Sequence, residues 1–364
     1  MLLILFLGKF KDINVKSKFK GEIVKRKALI IGSTAVDVII EIDRLPKTGD
    51  DVNTKSKVLN VGGCAYNVAS MLSYLSKDFD LISPVGSGYF GDLVNKTLAL
   101  NGFSAPLART REENGCCYCF VENNGERSFV CHRGAEYVFR HEFFERLDPS
   151  EYEMIYFCGL DVATDSDVEV NSSVDADSGI AVNLNLGVDS CVDMGSNVRV
   201  NSGIEIDTDD PIVRFLKRTH KICGSQHPMV FFAPGPQIDL IPEGIFNQIF
   251  DLNPIMHLSE SEYNVLSKKV GTAEDILKMT KAPIIITQGS NGASIIMPTK
   301  DGITTVHIPA KPVENVVDTI GAGDAHAGAV IACMIEGKSL SESVAFANAM
   351  SAKVVETKGS TLQK

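Results

Sequence analysis

Residues 316–335, VVDTIGAGDAHAGAVIACMI, place two aspartates six residues apart around Gly-Ala-Gly and then continue into small and apolar residues. The apolar run predicts a buried helix. At its start, Gly321, Ala322 and Gly323 carry so little side chain that an anion can approach the first amides closely. A helix start also offers unpaired N–H groups and about half a positive charge. The segment therefore predicts a phosphate-binding site.

Asp324 falls on the first turn of this predicted helix, where a carboxylate is stabilised in its charged, proton-accepting form. Phosphoryl transfer requires positioning and charge stabilisation, together with an aspartate that accepts the proton of the attacking hydroxyl. Asp324 has the chemistry for that role. On these residues alone a second interpretation stays open, in which a Gly-Ala-rich helix packs tightly and Asp324 only caps it.

Composition and charge limit the class of protein. The 364 residues include no apolar run of the roughly 18 residues that a spanning helix needs, so a membrane protein is not predicted. The formal net charge of −11 lies entirely in residues 161–210, which hold twelve acidic residues and one basic residue, Arg199. Because the other 34 basic and 34 acidic residues cancel, the charge predicts no basic partner, and we expect no nucleic-acid partner.

Two segments are predicted to lie outside the folded domain, which is expected to span residues 28–364. Residues 1–27 begin with MLLILFLG, continue into a lysine-rich stretch without a small-residue cleavage site, and are interpreted as an N-terminal extension. Residues 161–210 lack aromatic residues and lysine, which favours an acidic low-complexity insertion that carries no chemistry. The nine scattered cysteines indicate reduced thiols and a cytoplasmic protein.

Short apolar runs such as KALIIGS, YEMIYFCG and APIIITQG alternate with helical patterns. This alternation predicts an α/β fold with a doubly wound, mostly parallel sheet covered on both faces. Segments near 38–62 and 114–133 have strand patterns that interrupt the alternation of strands and helices. The second segment holds two strand-like runs joined through Asn124-Gly125, a pair typical of a type I′ hairpin turn. They predict a small β-sheet lid over a cleft.

Two motifs then resemble a known family. DTIGAGDAHAG is similar to the D-T-x-G-A-G-D-x-F-x-G motif of the ribokinase family, also called the PfkB carbohydrate kinases, and VGGCAYNVA resembles its G-G-x-x-x-N motif. The resemblance implies a ribokinase-like fold and ATP-dependent phosphorylation of a hydroxymethyl group on a small sugar or sugar-like molecule. A nucleoside kinase of the same family, or a catalytically silent sugar-binding or regulatory homologue, stays open.

The resemblance also assigns roles to residues of this chain. It implies that Asp324 is the catalytic base and that the anion hole is formed by Gly321, Ala322 and Gly323. The implied substrate-binding residues are Asp37, Gly63 and Asn67. The implied nucleotide-binding residues are Thr287, Gly289, Gly292 and Asn348, of which Asn348 is the weakest prediction because a core-facing polar residue fits equally well.

Two positions depart from the family pattern. The family's N-x-x-E, which helps to organise Mg2+ and phosphates, is replaced by HLSESE, so that Ser259 takes the place of asparagine while Glu262 remains as an indirect metal residue. His326 stands where the family has phenylalanine, either as a buried neutral imidazole or as a group that tunes Asp324. The implied cofactors are ATP and Mg2+, with a monovalent cation left open, and a homodimer through the lid would cover an exposed strand edge.

Overall fold

The computed structural model describes residues 27–103, 109–162, 210–300 and 302–362. Residues 1–26 and 163–209, which hold nearly all of the predicted extension and insertion, lie outside the described residues. Lys27 was predicted to end the extension, but it begins the first strand and forms ion pairs with Asp80 (2.7 Å) and Glu151 (3.1 Å).

The larger sheet has eight strands, and its mostly parallel pairing confirms the predicted fold class. The strands are β1 (Lys27–Ile31), β4 (Phe79–Ile82), β7 (Tyr152–Cys158), β8 (Met229–Ala233), β9 (Ile255–Ser259), β10 (Ile284–Thr287), β11 (Ala293–Thr299) and β12 (Gly302–Ile308). They lie in the order β12-β11-β10-β9-β8-β7-β1-β4. Pairing is parallel from β10 to β4, whereas β11 and β12 are antiparallel. The parallel strands therefore end at one edge of the sheet, where such folds place their sites.

A second sheet of four strands forms where the lid was predicted. Its strands are β2 (Ala35–Glu41), β3 (Ser56–Gly62), β5 (Cys116–Val121) and β6 (Arg127–His132), in the order β3-β2-β5-β6. Only β2 and β5 pair in parallel. We call this sheet the lid.

The turn between β5 and β6 corrects the predicted type I′ turn. Gly125 has φ +85°, but Asn124 is not among the described residues with positive φ, as a type I′ turn requires. Instead, Gly125 N donates to Glu122 O (2.9 Å) and Glu122 N donates to Glu126 O (3.0 Å). The loop is therefore a three-residue turn in which glycine alone takes the left-handed conformation, an arrangement that Asn-Gly also suits.

Helices cover both faces of the larger sheet, as predicted. They are α1 (Cys64–Tyr74), α2 (Gly88–Leu100), α3 (Pro211–Cys223), α4 (Glu243–Phe250), α5 (Glu260–Val270), α6 (Ala273–Thr280), α7 (Ala322–Ile335) and α8 (Leu340–Val355). Because side chains alternate along a strand, Ile30 packs on the side of α1, α7 and α8, and Ile31 on the side of α3 to α6. No helix among the described residues is both long and apolar enough to span a bilayer.

Two aspartates at the limits of the predicted insertion belong to the fold. Asp161 Oδ1 accepts a hydrogen bond from Ser33 N (3.0 Å), and burial raises the pKa of Asp161 to about 7. Asp210 accepts from the amides of Ile212 and Val213 (both 2.9 Å) and so caps α3. The predicted insertion, residues 161–210, is therefore narrowed to residues 163–209, which all lie outside the described residues.

Candidate active site

The predicted anion hole lies at the start of α7. Gly321 is the N-cap with φ +74°, and a Cβ there would approach Ser360 O to 2.5 Å, so the position requires glycine. Among the described residues, the amides of Gly323 and Asp324 have no hydrogen-bond acceptor, and Gly323 is exposed. The amide of Ala322, which was predicted to belong to the anion hole, instead donates to Thr319 O (3.3 Å), whereas the N–H groups of Gly323 and Asp324 can bind an anion.

Asp324 is connected to the other predicted motif through Asn67. Asn67, in the first helical turn after Gly63, donates from Nδ2 to Asp324 Oδ2 over 2.8 Å. Its Oδ1 in turn accepts from Ser360 Oγ (2.9 Å). Since Asn67 is buried and bonded on both sides, the carboxylate of Asp324 is held in one orientation beside the anion hole.

The environment of Asp324 raises its pKa to about 6. Burial is the main cause, since removing water penalises the charged form. Hydrogen bonds from Asn67 and Cys64 lower the pKa, while the negative charges of Glu262 and Asp37 raise it. Asp324 is therefore ionised at neutral pH and basic enough to accept a proton late in a transfer reaction.

The other two predicted substrate residues lie beside this pair. Asp37 is on the lid strand β2, and its Oδ2 lies 2.4 Å from the place that a Cβ on Gly62 would occupy. Gly63, the N-cap of α1, has φ +98°, and a Cβ there would lie 2.6 Å from Ser33 O. Burial raises the pKa of Asp37 to about 6. The structure thus brings a lid carboxylate close to the helix start that holds Asn67.

The predicted nucleotide residues lie around the end of β12. Thr287 ends β10, and the following turn contains Gly289 and Gly292. A Cβ on Gly292 would meet Ile308 O at 2.2 Å, and Asn348 Nδ2 donates to Ile308 O (3.1 Å) and Pro309 O (3.0 Å). Gly292 and Asn348 therefore meet at the same backbone segment. The amide group of Asn348 is bonded to that segment, and its contact with a nucleotide stays a prediction.

His326 belongs to a buried chain of hydrogen bonds that includes a residue the sequence did not indicate, His257. His257 Nε2 lies 2.9 Å from His326 Nδ1, and His326 Nε2 lies 3.2 Å from Asn348 Oδ1. Because Asn348 donates through its NH2 group to the backbone, its oxygen must accept from His326 Nε2–H, and His257 must donate to His326. Burial lowers the pKa of His326 to about 4 and that of His257 well below its usual value. Both imidazoles are therefore neutral.

Ser259 and Glu262 form a capping box at the start of α5. Glu262 N donates to Ser259 Oγ (3.2 Å), and Ser259 N donates to Glu262 Oε2 (2.7 Å). The described residues contain no group of three or more His, Cys, Asp or Glu side chains arranged for a metal ion.

Three residues that contact the site were not predicted. Cys64 lies near Asp324, whose pKa it lowers, and is itself within the GGCAYN motif, where the family pattern leaves the position unspecified. Ser360 reaches Asn67 from the end of the described chain, and Arg127 of the lid pairs with Asp318 at 3.0 Å. No local sequence pattern marks Ser360 or Arg127, because both are brought in by long-range contacts.

Comparison with known proteins finds relatives over most of the chain. The model of the pfkB family carbohydrate kinases matches residues 25–176 and 213–364, and the unmatched stretch lies almost entirely within the predicted insertion. The chain is similar to the uncharacterized sugar kinase YegV of Escherichia coli (strain K12), with 26% identity, covering 92% of this chain and 90% of the relative.

Two solved structures have the same fold. Arabidopsis thaliana ribokinase complexed with ribose and ATP has a TM-score of 0.64 and 20% identity, covering 92% of this chain and 94% of that one. Burkholderia thailandensis nucleoside kinase in complex with inosine has a TM-score of 0.65 and 19% identity, covering 92% and 91%.

Proposed function

Because the chain belongs to the pfkB family of carbohydrate kinases, we propose that it transfers a phosphoryl group from ATP to a hydroxymethyl group of a small sugar or sugar-like substrate. The observation that carries the proposal is the start of α7, where the Asp324 carboxylate stands next to the free amides of Gly323 and Asp324. One helix terminus thus offers a base for the hydroxyl and donors for the phosphoryl group.

In the proposed reaction, the acceptor oxygen forms a bond to the terminal phosphorus of ATP while the bond from that phosphorus to the β–γ bridging oxygen breaks, so that ADP leaves and Asp324 accepts the proton of the hydroxyl. The N–H groups of Gly323 and Asp324 stabilise the negative charge on the transferred group, and the positive end of α7 adds to this effect. Asn67 holds the base in place with its 2.8 Å hydrogen bond. These groups need no rearrangement during the transfer, which is the condition for effective electrostatic stabilisation.

Substrate binding is proposed to use the lid and the start of helix α1. Asp37 of the lid and Asn67 of α1 grip neighbouring hydroxyls as carboxylate and amide, and Gly63 permits a close approach of the backbone. Because Asp37 lies on the lid, binding of the acceptor and closure of the lid occur together. A closed lid excludes water, which otherwise competes as phosphoryl acceptor.

ATP is proposed to lie along α7, bordered by Thr287, Gly289 and Gly292. A bound magnesium ion would neutralise part of the negative charge of the phosphates. Glu262 would hold it indirectly, through water, since one carboxylate oxygen already accepts from Ser259 N. A requirement for a monovalent cation stays open.

A nucleoside kinase of the same family is the second candidate. It is favoured by the similarity to the nucleoside kinase solved with inosine, since the residues proposed to grip sugar hydroxyls can equally hold a ribose that carries a base. Ser259 in place of the family asparagine also keeps a catalytically silent homologue as an alternative.

A homodimer through the lid is a further proposal. Phe129 and Val130 of β6, at the edge of the lid sheet, are 57% and 59% exposed. Large apolar side chains and an unpaired strand edge are features that association covers. A cytoplasmic location also stays a prediction.

The test is ATP consumption with a panel of acceptors: pentoses, hexoses and nucleosides, each with product mass measured. Sugar-dependent ADP formation with a product heavier by one phosphoryl group supports the proposal. Turnover with nucleosides alone favours the second candidate. If no acceptor raises ADP formation above the acceptor-free rate while ATP binds, the silent homologue is favoured.

A further inference from the structure

The lid and the anion-hole segment are joined by an ion pair between Arg127 and Asp318. Arg127 is the first residue of β6, and its Nη2 lies 3.0 Å from Asp318 Oδ1. The Asp318 residue is only 8% exposed. A carboxylate this far from water is costly unless a positive charge compensates it, and the lid supplies that charge.

Asp318 also fixes the backbone around the anion hole. Its Oδ1 accepts from Ile320 N (2.9 Å), which shapes the turn just before Gly321. Its Oδ2 accepts from Gly359 N (3.3 Å), next to the Ser360 hydroxyl that bonds to Asn67. One carboxylate therefore orders both the approach to α7 and the segment that orients the partner of Asp324.

Arg127 depends on Asp318 for its position. Its Nε is buried and has no acceptor among the described residues, so the contact with Asp318 is what holds the guanidinium. In the lid register Val121 pairs with both Arg127 and Glu41. Paired residues share a face of the sheet, and so do residues two or four apart along a strand. Because Asp37 is four residues from Glu41 on β2, Arg127 and Asp37 lie on the same face of the lid. The face that carries the proposed substrate carboxylate thus also carries the contact to the anion hole.

We propose that Arg127 is a positioning residue that couples lid closure to the order of the anion hole. This inference rests on the proposed kinase function. When the lid opens, Arg127 leaves Asp318 uncompensated, so the buried pair favours the closed lid together with the ordered turn at residues 318–321. The amides of α7 are then in place only when the acceptor is enclosed, which directs ATP to the sugar and away from water.

The test compares Arg127→Gln and Arg127→Lys with a matched control variant in the segment between β2 and β3, Arg44→Gln, whose wild-type residue makes an exposed pair with Asp50 (2.5 Å). We expect Arg127→Gln to lower kcat/KM for the acceptor by about tenfold to a hundredfold, since small displacements of reacting groups have effects of that size. The ratio of ATP hydrolysis to phosphoryl transfer should rise. Lysine should recover part of the loss, and Arg44→Gln should match the wild type.

Hydrogen exchange of ATP-bound protein gives a readout that does not depend on turnover. In Arg127→Gln, amides of β6 and of residues 318–323 should both lose protection, whereas those of the β8 core strand should not. Added guanidinium should restore activity to Arg127→Ala. Wild-type kinetics and exchange in Arg127→Gln would overturn the inference while leaving the kinase assignment intact. A wild type without any acceptor-dependent turnover would instead reject the kinase assignment, and exchange alone would then decide whether the two segments are coupled.

Discussion

Asn67 and Asp324, separated by 257 positions in the chain, are joined by a 2.8 Å hydrogen bond from the amide to the carboxylate. The bond connects the first turn of α1 to the first turn of α7, and thereby the two segments that carry the family motifs. A residue proposed to grip substrate thus also orients the proposed base. Binding and proton transfer are organised by one contact.

Asp324→Asn removes the proposed base but keeps the size and polarity of the side chain. We expect kcat to fall by about 10²- to 10⁴-fold, the range that general base catalysis contributes. ATP binding, measured by calorimetry, should change little because the amides of Gly323 and residue 324 remain. A variant that retains more than half of the wild-type kcat would show that Asp324 is not the base.

Asn67→Ala should change the pH dependence of the reaction. Asp324 must be ionised to accept a proton, so wild-type kcat should decline as pH falls through its pKa of about 6. The amide of Asn67 lowers that pKa, so its loss should raise the pKa and move the acid limb of the pH profile to higher pH. Ser360→Ala, which removes only the hydroxyl behind Asn67, serves as control and should shift the limb less. If the acid limb of the Asn67→Ala profile does not move, the amide of Asn67 does not set the pKa of the catalytic base.

The sequence predicted the parts of the site that lie within short motifs. The start of α7 could be read locally, because glycines, a following apolar helix and an aspartate on its first turn have direct consequences for anion binding. The alternation of strands and helices likewise gave the fold class. Ser360 and Arg127 could not be predicted in this way, since their partners lie 293 residues and about 190 residues away, respectively.

Local patterns also left some choices undecided. The type I′ turn predicted from Asn124-Gly125 was wrong, because the pair also suits a three-residue loop and only the register of β5 with β6 selects that form. His326 resembled an isolated substitution, but its environment is set by His257, which stands in an apolar run with no sign of a polar partner. Polar contacts in a core depend on tertiary packing, which no local period reveals.

Glu262→Gln tests the proposed indirect role in binding magnesium. Glutamine can keep the capping box with Ser259, so the free energy of unfolding should stay nearly constant. The loss of charge should raise the Mg2+ concentration needed for half-maximal activity by several-fold. Ser259→Ala is the opposite control, since it should lower stability by about 1 kcal/mol while changing the Mg2+ requirement less. If activity depends on Mg2+ concentration in the same way in wild type and Glu262→Gln, Glu262 does not contribute to magnesium binding.

Phe129→Glu combined with Val130→Glu tests the proposed dimer. Burying two carboxylates at a subunit contact is unfavourable, whereas on an exposed edge strand they cost little. Light scattering should give the wild type about twice the chain mass of 39.4 kDa and the double variant the single-chain mass. Val58→Glu, at a less exposed lid position, provides a comparison. A wild type that is monomeric at high protein concentration would reject the proposal.

The neutral histidine chain predicts a loss of stability on the acid side of neutrality. In the folded protein burial lowers the pKa of His326 from 6.5 to about 4, so protons bind preferentially to the unfolded chain between these values. The contribution of neutral His326 to the free energy of unfolding is fully present above pH 6.5 and declines towards pH 4, by about 1.4 kcal/mol for each pH unit. His326→Phe, which supplies the family residue, removes this contribution. Urea unfolding at pH 7.5, 6.5 and 5.5 should therefore show the stability difference between wild type and His326→Phe shifting in favour of the variant as pH falls, and a difference that does not vary with pH would mean that His326 is not held neutral in the core.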